Sequence, residues 1–434
     1  MIGRGQNKSA AGTLAPAAIA AALALAAPAA VAAVVPLKPS GGAVVEMLPE
    51  CQRLTLAGGD GGERLRIAAQ VATNMTDNAW RKAAPLVLEW KTTAGEKGPW
   101  RIRLAKNPDF TGARDLWLEC EDAAKCGGAA PGEEIWRFTV PMANLEPDTE
   151  YFWQVWSRIK CKSYTCGFTY PDKCKCGRTK RGEISGTASF RTASSVPRWI
   201  ELEGKVKNVR DLGGWCAQGG CRVRTGLVFR GEGLNENSLA GVEPGRNRLM
   251  VADVQYLTGT LGIRTELDLR TLRETAAQKV SPFGPNVRYV NNDSPQYADI
   301  SSKRGKAAMA ANFRLFCERA NYPIYFHCIA GADRTGSLAY VLNGVLGVAK
   351  DDLERDYEST FYPVIPGLSV AKGSRGTALF DKVFAQYGTE GDSLMRRIEL
   401  YLIDCGVTEE DIAAFRAIML EKQGKKQEDA NGAK

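Results

Sequence analysis

With 434 residues the chain is too long for one ordinary core, so two domains are the expected division. Its 44% hydrophobic and 24% charged residues exclude a disordered composition. The net charge of +8 suits an anionic substrate, but Lys/Arg groups such as Lys303-Arg304 stay short and lack interleaved aromatics, so no nucleic-acid partner is expected.

Arg4 and Lys8 precede an Ala/Leu stretch from Ala10 to Val35, and Ala30-Val31-Ala32 offers the small-x-small pattern of a signal-peptidase site. Residues 1–33 therefore read as a secretory signal peptide, which implies an exported (periplasmic or secreted) protein without stable membrane insertion after cleavage. The alternative is an uncleaved anchor, because the apolar stretch exceeds about 18 residues. Its Ala and Pro content dilutes the hydrophobicity and favours cleavage.

From Pro85 to Thr192 short apolar/polar alternations are separated by turns. Pro85 to Trp90, Trp100 to Leu104, Phe152 to Trp156 and Ala188 to Thr192 read as strands of a β-sandwich. Arg64 to Val71 is also strand-like. Cys120 and Cys126, the group Cys161, Cys166, Cys174 and Cys176, and Cys216 with Cys221 read as disulfides in an exported chain. A zinc site is the rival reading for the group of four, although its spacing is not two CxxC pairs. His327 is the one histidine, which excludes a multi-histidine metal site and leaves the chemistry to Cys, Asp, Glu, Arg or Lys. No cofactor is expected.

Ser194 to Arg198 is a polar hinge. From Ile200 strands alternate with helical patterns, the signature of an α/β layer fold. Leu261 to Arg270, Val287 to Val290 and Tyr322 to Phe326 read as strands, and Thr335 to Leu346, Asp351 to Thr360, Ser393 to Ile403 and Asp411 to Glu421 as helices. The strand at 322–326 delivers His327-Cys328-Ile329-Ala330-Gly331-Ala332-Asp333-Arg334-Thr335-Gly336 at its carboxyl end, where α/β proteins place ligands. A Cys-x5-Arg loop between strand and helix turns successive N–H groups inward, and the helix N-terminus adds partial positive charge. That field welcomes a phosphate dianion and suits Cys328 as a thiolate nucleophile. Arg334 supplies a planar fork for two phosphate oxygens, Gly331 lets the backbone approach the ligand, and Thr335 can donate its hydroxyl to the sulfur.

The run resembles the signature of the bacterial tyrosine/serine (dual-specificity-like) protein phosphatase family, within the cysteine-dependent phosphatase superfamily. Asn208 to Gly214, Gly226 to Arg230, Gly262 to Thr265 with Leu267 to Arg270 and Glu274, Asp356-Tyr357 with Ser359, and Tyr401-Leu402 with Cys405 to Thr408 match its other blocks in order. The N-terminal segment, with Leu145-x-Pro147-x-Thr149-x-Tyr151, resembles a fibronectin type III domain, in which Tyr151 would make the tyrosine corner and Trp90 would be core. The resemblances imply an all-β sandwich over 45–193 with a Cys-rich insertion, an α/β cysteine-phosphatase domain over 200–424 with a central sheet flanked by helices, and a disordered tail over 425–434. What Cys51 and the segment 64–71 contribute stays open.

Activity on phosphotyrosine, and on phosphoserine or phosphothreonine, through a phosphocysteine intermediate is what the family resemblance implies. Its substrate is then a phosphorylated protein or a small phosphomonoester, and the sandwich has a protein or glycan ligand. Backbone groups of Ile329, Ala330, Gly331 and Ala332, with Thr335 and Gly336, would bind substrate. In this subfamily the Asp before the loop Arg is credited as general acid, here Asp333; ordinary tyrosine phosphatases place it on an upstream loop, here Asp293. His327 would tune the thiolate from behind. Arg210, Asp211, Asp268 and Arg270 read as a framework of paired buried charges. Relatives favouring phosphoinositides often carry Lys at the position of Ala332, which weakens an inositol phosphate or phosphoinositide substrate as the alternative. An inert phosphate-binding or adhesion module is the second alternative.

Overall fold

The computed structural model describes residues 34–74, 83–95, 98–119, 121–157, 159–160, 168–169, 184–235, 247–360 and 369–422. The expectations for 1–33, for Cys161, Cys166, Cys174 and Cys176, and for 425–434 lie outside these residues.

In the N-terminal unit, strands β1 (Val34–Lys38), β2 (Ala43–Val45), β3 (Leu86–Thr93), β4 (Trp100–Ala105), β5 (Arg114–Leu118), β6 (Ala124–Cys126), β7 (Glu133–Val140), β8 (Glu150–Ser157) and β9 (Ala188–Thr192) form two sheets. Their orders are β1-β3-β7-β6 and β2-β9-β8-β4-β5, antiparallel except for the parallel β2–β9 pair. Period-two alternation makes the core: in β8, Tyr151, Trp153 and Val155 are buried while Phe152, Gln154 and Trp156 are not. Both sheets contribute to one apolar cluster, in which Trp90 and Trp100 meet edge-to-face with ring centroids 5.2 Å apart. The Glu146 N–H donates to the Tyr151 phenol oxygen at 2.9 Å, pinning the turn before β8.

Two sequence expectations fail here. The segment 64–71 is not a strand: α1 (Glu50–Ala57) and α2 (Gly61–Asn74) form a helical hairpin, so the N-terminal unit is not all-β, and its first strand is β1. The reason is local. Asp60 accepts from the Glu63 N–H at 2.8 Å while Glu63 accepts from the Gly59 N–H at 2.7 Å, a reciprocal helix-start signal. Arg64, Ile67 and Ala68 then repeat at i, i+3 and i+4 on the less exposed face, with Arg66 and Gln70 outward. The disulfide expectation fails as well for the two sets that include described cysteines. Cys126 and Cys221 are free thiols, so neither the Cys120–Cys126 nor the Cys216–Cys221 bridge is formed. In the ribbon of Cys216–Ala217 and Cys221–Val223, Cys221 stands opposite Ala217 and Cys216 opposite Arg222, which sends the two thiols to opposite faces.

The C-terminal unit is α/β. Strands β10 (Arg210–Asp211), β11 (Val228–Gly231), β12 (Thr265–Asp268), β13 (Arg288–Asn291) and β14 (Ile324–His327) make a sheet ordered β10-β11-β14-β12-β13, parallel except for β10. Every residue of central β14 is buried, as expected of a strand covered on both faces. Helices α4 (Lys303–Phe316), α5 (Asp333–Val345), α6 (Lys350–Ser359), α7 (Ser369–Phe384), α8 (Leu394–Asp404) and α9 (Glu409–Met419) build the larger core cluster. A smaller cluster around Phe229, Leu257, Phe283 and Tyr325, with the short helix α3 (Val251–Gln255) nearby, covers the other face. Register aligns His327 with Gly231 on one side and Asp268 on the other, which sets the loop at 328–334 above the sheet's carboxyl edge.

Candidate active site

Cys328 follows β14 directly and is 2% exposed. The loop after it is held open by its carbonyls. Ile329 O accepts from the Gly233 N–H at 2.9 Å, and Ala330 O from Asn208 Nδ2 at 3.1 Å. Gly331 O accepts from Asn208 Nδ2 at 3.2 Å and Arg230 Nη2 at 2.9 Å. With the carbonyls drawn outward, the N–H groups of Ile329 to Ala332 donate to no acceptor among the described residues. They make a nest of donors, and α5 starts at Asp333 behind it. Gly331 has φ +65°, and a Cβ there would lie 2.2 Å from Gly231 O, so only glycine closes the loop this way. At Gly336 a Cβ would lie 2.3 Å from a Tyr357 ring carbon; the bare backbone lets α5 seat against α6.

The supporting charges are framework. Asp356, on α6, accepts from Arg210 Nε at 3.0 Å and Arg230 Nη1 at 2.8 Å. Thr360 Oγ1 accepts from both guanidiniums, at 2.7 and 3.1 Å, and Arg210 also donates to Asn208. Burial works against ionising Asp356, but the two guanidiniums outweigh it and hold the carboxyl below its usual range. Burial and the neighbouring Arg230 bring Arg210 down to about 10, well above neutral pH. Asp356→Asn leaves two buried cations short of their counter-charge and is expected to destabilise the chain by about 3–5 kcal/mol in urea unfolding. The folded carboxyl titrates below its unfolded value, so its contribution is complete above about pH 4 and is lost as pH falls through the folded pKa. The gap between wild type and variant should narrow over that window.

His327 lies behind the loop, fully buried. Its Nδ1 donates to Cys328 O at 3.1 Å, and its Nε2 lies 2.9 Å from Glu266 Oε1. Glu266 also accepts from Ser281, and Asp268 accepts from Arg270 at 2.9 and 2.7 Å and from Tyr289 Oη at 3.0 Å. His327, Glu266 and Asp268 are types that can ligate a metal and lie close together, but each is already engaged by protein partners. Asp211 belongs to the framework too: it accepts from the Gly213 and Gly226 N–H groups at 2.9 and 2.6 Å, faces Arg198 at 3.6 Å, and bonds no residue of the 327–336 loop.

The residues expected to do chemistry are brought together with one surprise. Both terminal nitrogens of Arg334 donate to Glu274, at 2.6 and 3.0 Å. The expected phosphate fork is therefore oriented by a carboxylate, and Nη1 also reaches Leu269 O at 3.4 Å, which leaves Nε and the second hydrogen of Nη2 for a ligand. Burial opposes ionisation of Glu274, yet the Arg334 bonds and the Thr271 N–H keep it below the usual carboxylate range. Asp333 accepts a hydrogen bond from the Tyr297 hydroxyl, which in turn accepts one from Tyr357 at 2.9 Å. Burial and Asp333 push the Tyr297 phenol upward, so it remains a proton donor through neutral pH. Asp293 sits on the loop after β13, half-buried, with its carboxylate paired to the exposed Arg304. Thr335 Oγ1 is buried without a hydrogen-bond partner among the described residues, so the expected donation to Cys328 is not made here. Arg230 lies buried beneath the loop.

Glu274, Tyr297, Asn208 and Arg230 were not assigned site roles from the sequence. Glu274, Asn208 and Arg230 lay within recognised blocks, which was a usable signal; nothing local marked Tyr297.

Residues 200–421 match the family model described as the tyrosine phosphatase family. The chain belongs to that family. A candidate tyrosine-protein phosphatase of Cupriavidus necator is 29% identical over 176 residues, 35% of this chain; the match spans 59% of that relative's length. Two solved structures of the catalytic core of Siw14, one of them described as the PP-IP phosphatase from S. cerevisiae in complex with citrate, are similar at 13% and 11% identity. Each similarity covers 37% of this chain and 86% of the other, with TM-scores of 0.24 and 0.22. As a tyrosine phosphatase family member, the chain carries the family match across the whole unit that contains β10–β14 and α3–α9.

Proposed function

We propose that this protein is an exported cysteine-dependent phosphatase that hydrolyses phosphotyrosine, and phosphoserine or phosphothreonine, monoesters. Cys328 attacks phosphorus, the P–O bond to the leaving group breaks, and Asp333 passes a proton to the departing oxygen. Water then attacks the phosphocysteine and gives its proton back to Asp333, the P–S bond breaks, and thiolate and phosphate are released. The carrying observation is the buried Cys328 at the base of a loop whose carbonyls are tied outward and whose N–H groups have no acceptor among the described residues. Arg334, already oriented by Glu274, supplies the remaining charge. Ala332 is apolar and buried where a second cation would favour a polyphosphorylated ligand, which supports the protein substrate over the inositol phosphate. Both catalytic residues are present, which argues against the inert module.

The N-terminal sheets are read as fibronectin type III-like, with a protein or glycan ligand, on the strength of the buried Trp90 and the Tyr151 turn contact. Export rests on the leader read over 1–33.

The test is a turnover screen of the full chain against phosphotyrosine peptides, phosphoserine peptides, phosphoinositides and phytate. Phosphotyrosine peptides are expected to give the highest kcat/KM. A preference of about tenfold or more for phytate or a phosphoinositide overturns the substrate assignment.

A further inference from the structure

Helix α6 has two working faces. Asp356 and the capping Thr360 look toward the loop at 328–334, where they hold Arg210 and Arg230. Glu354 and Glu358, one helical turn apart, look the other way and meet Arg64 of α2. Arg64 is 0% exposed, as is Glu358. Its Nε donates to Glu358 at 2.7 Å, and its Nη2 to Glu358 at 3.0 Å and to Glu354 at 3.1 Å. A return contact runs from the same helix: Arg355 donates to Leu56 O at 2.8 Å and Gly58 O at 3.2 Å, carbonyls at the end of α1 where a cation is favoured.

We propose that Arg64 is a positioning residue for the phosphate loop: it docks the N-terminal helical hairpin on α6 and so fixes the helix that orders Cys328 to Arg334. This rests on the functional reading above for what the loop does, but not for the contacts. Three lines run from the docked helix or hairpin to the loop. Asp356 holds Arg230, which holds Gly331 O. Tyr357 donates to Tyr297, which donates to Asp333. Gln52 of α1 accepts from Trp199 Nε1 at 2.9 Å, the Arg210 guanidinium lies 5.5 Å from the Trp199 ring centroid, and Arg210 donates to Asn208, which holds Ala330 O and Gly331 O. The hairpin thus braces the donors of the nest and the partner of Asp333 at once, although it lies outside the family-matched residues.

The logic of a buried pair gives the test. Removing Arg64 alone takes from buried Glu358 the guanidinium that meets it through two nitrogens, which strains α6, whereas replacing both by apolar side chains of similar size removes that pair and keeps the packing. In the full chain, Arg64→Met is expected to weaken inorganic phosphate binding, measured by calorimetry well below the melting temperature, and to lower kcat/KM for an aryl phosphate, each by about tenfold. Arg64→Met combined with Glu358→Met should recover both to within about threefold of wild type. If folded Arg64→Met binds phosphate and turns over as wild type does while only its melting temperature falls, the hairpin is merely a stabiliser and the proposal is overturned. If the single variant cannot be isolated folded, Arg64→Lys carries the test: an ammonium on a shorter stem cannot reproduce the planar two-nitrogen contact with Glu358 while also reaching Glu354, so phosphate affinity should fall about threefold, and unchanged affinity overturns the proposal. Wild type that binds phosphate but turns over no phosphomonoester sinks the functional reading alone, since the binding comparison among variants still reports on the loop.

Discussion

Cys328→Ser is expected to leave less than about one hundredth of wild-type turnover on an aryl phosphate while retaining inorganic phosphate binding. The two halves separate because they use different atoms. Binding draws on the loop N–H groups, the start of α5 and the Arg334 guanidinium, none of which the substitution touches. Attack on phosphorus needs a nucleophile that is ionised without help. A serine hydroxyl would need a general base, and the single histidine cannot serve: its Nδ1 is spent on Cys328 O and its Nε2 faces Glu266. Stopped assays with and without the substitution, alongside calorimetric phosphate titrations, check both halves. Residual turnover above that level would remove the covalent intermediate from the mechanism. Loss of phosphate binding would mean that the sulfur shapes the loop rather than reacting in it.

The loop itself was legible because its signal is local. A buried apolar run, then Cys, a mid-loop Gly and a helix start at Asp333 all fall within one stretch of chain, and the register of β14 places them as read. The framework reading of Arg210, Asp211, Asp268 and Arg270 also held, because charges so close to apolar strand patterns must find partners. What stayed hidden is non-local. Glu274 meets Arg334 across 60 residues, Tyr297 meets Asp333 across 36, and Arg230 meets Gly331 across 101. No periodicity encodes such pairings. The helical hairpin was misread for a different reason: Arg64 to Ile67 alternates polar and apolar residues as a strand does, and the helix period shows only when Asp60, Glu63 and Ala68 are included. The cysteines at 216 and 221 were read by spacing, whereas hairpin register decides which face each thiol takes.

Asp333→Asn is expected to lower turnover by about 10²–10⁴-fold on substrates with poor leaving groups, and much less on an activated aryl phosphate. An activated leaving group departs as a stable anion and hardly needs a proton. Asp293→Asn should show little of this dependence. The structure sharpens the contrast between the two carboxyls. Asp333 rides on the loop that holds phosphate and is oriented from one side by the Tyr297 hydroxyl, itself fixed by Tyr357, so its second oxygen is the one left to face a leaving group. Asp293 stands on the loop after β13 with its carboxylate committed to Arg304, which is itself exposed. To act as acid it would have to release that partner. A leaving-group series on both variants decides the matter: a steep slope confined to Asp293→Asn transfers the acid to the upstream loop, and the Tyr297–Asp333 contact then serves only to hold the start of α5.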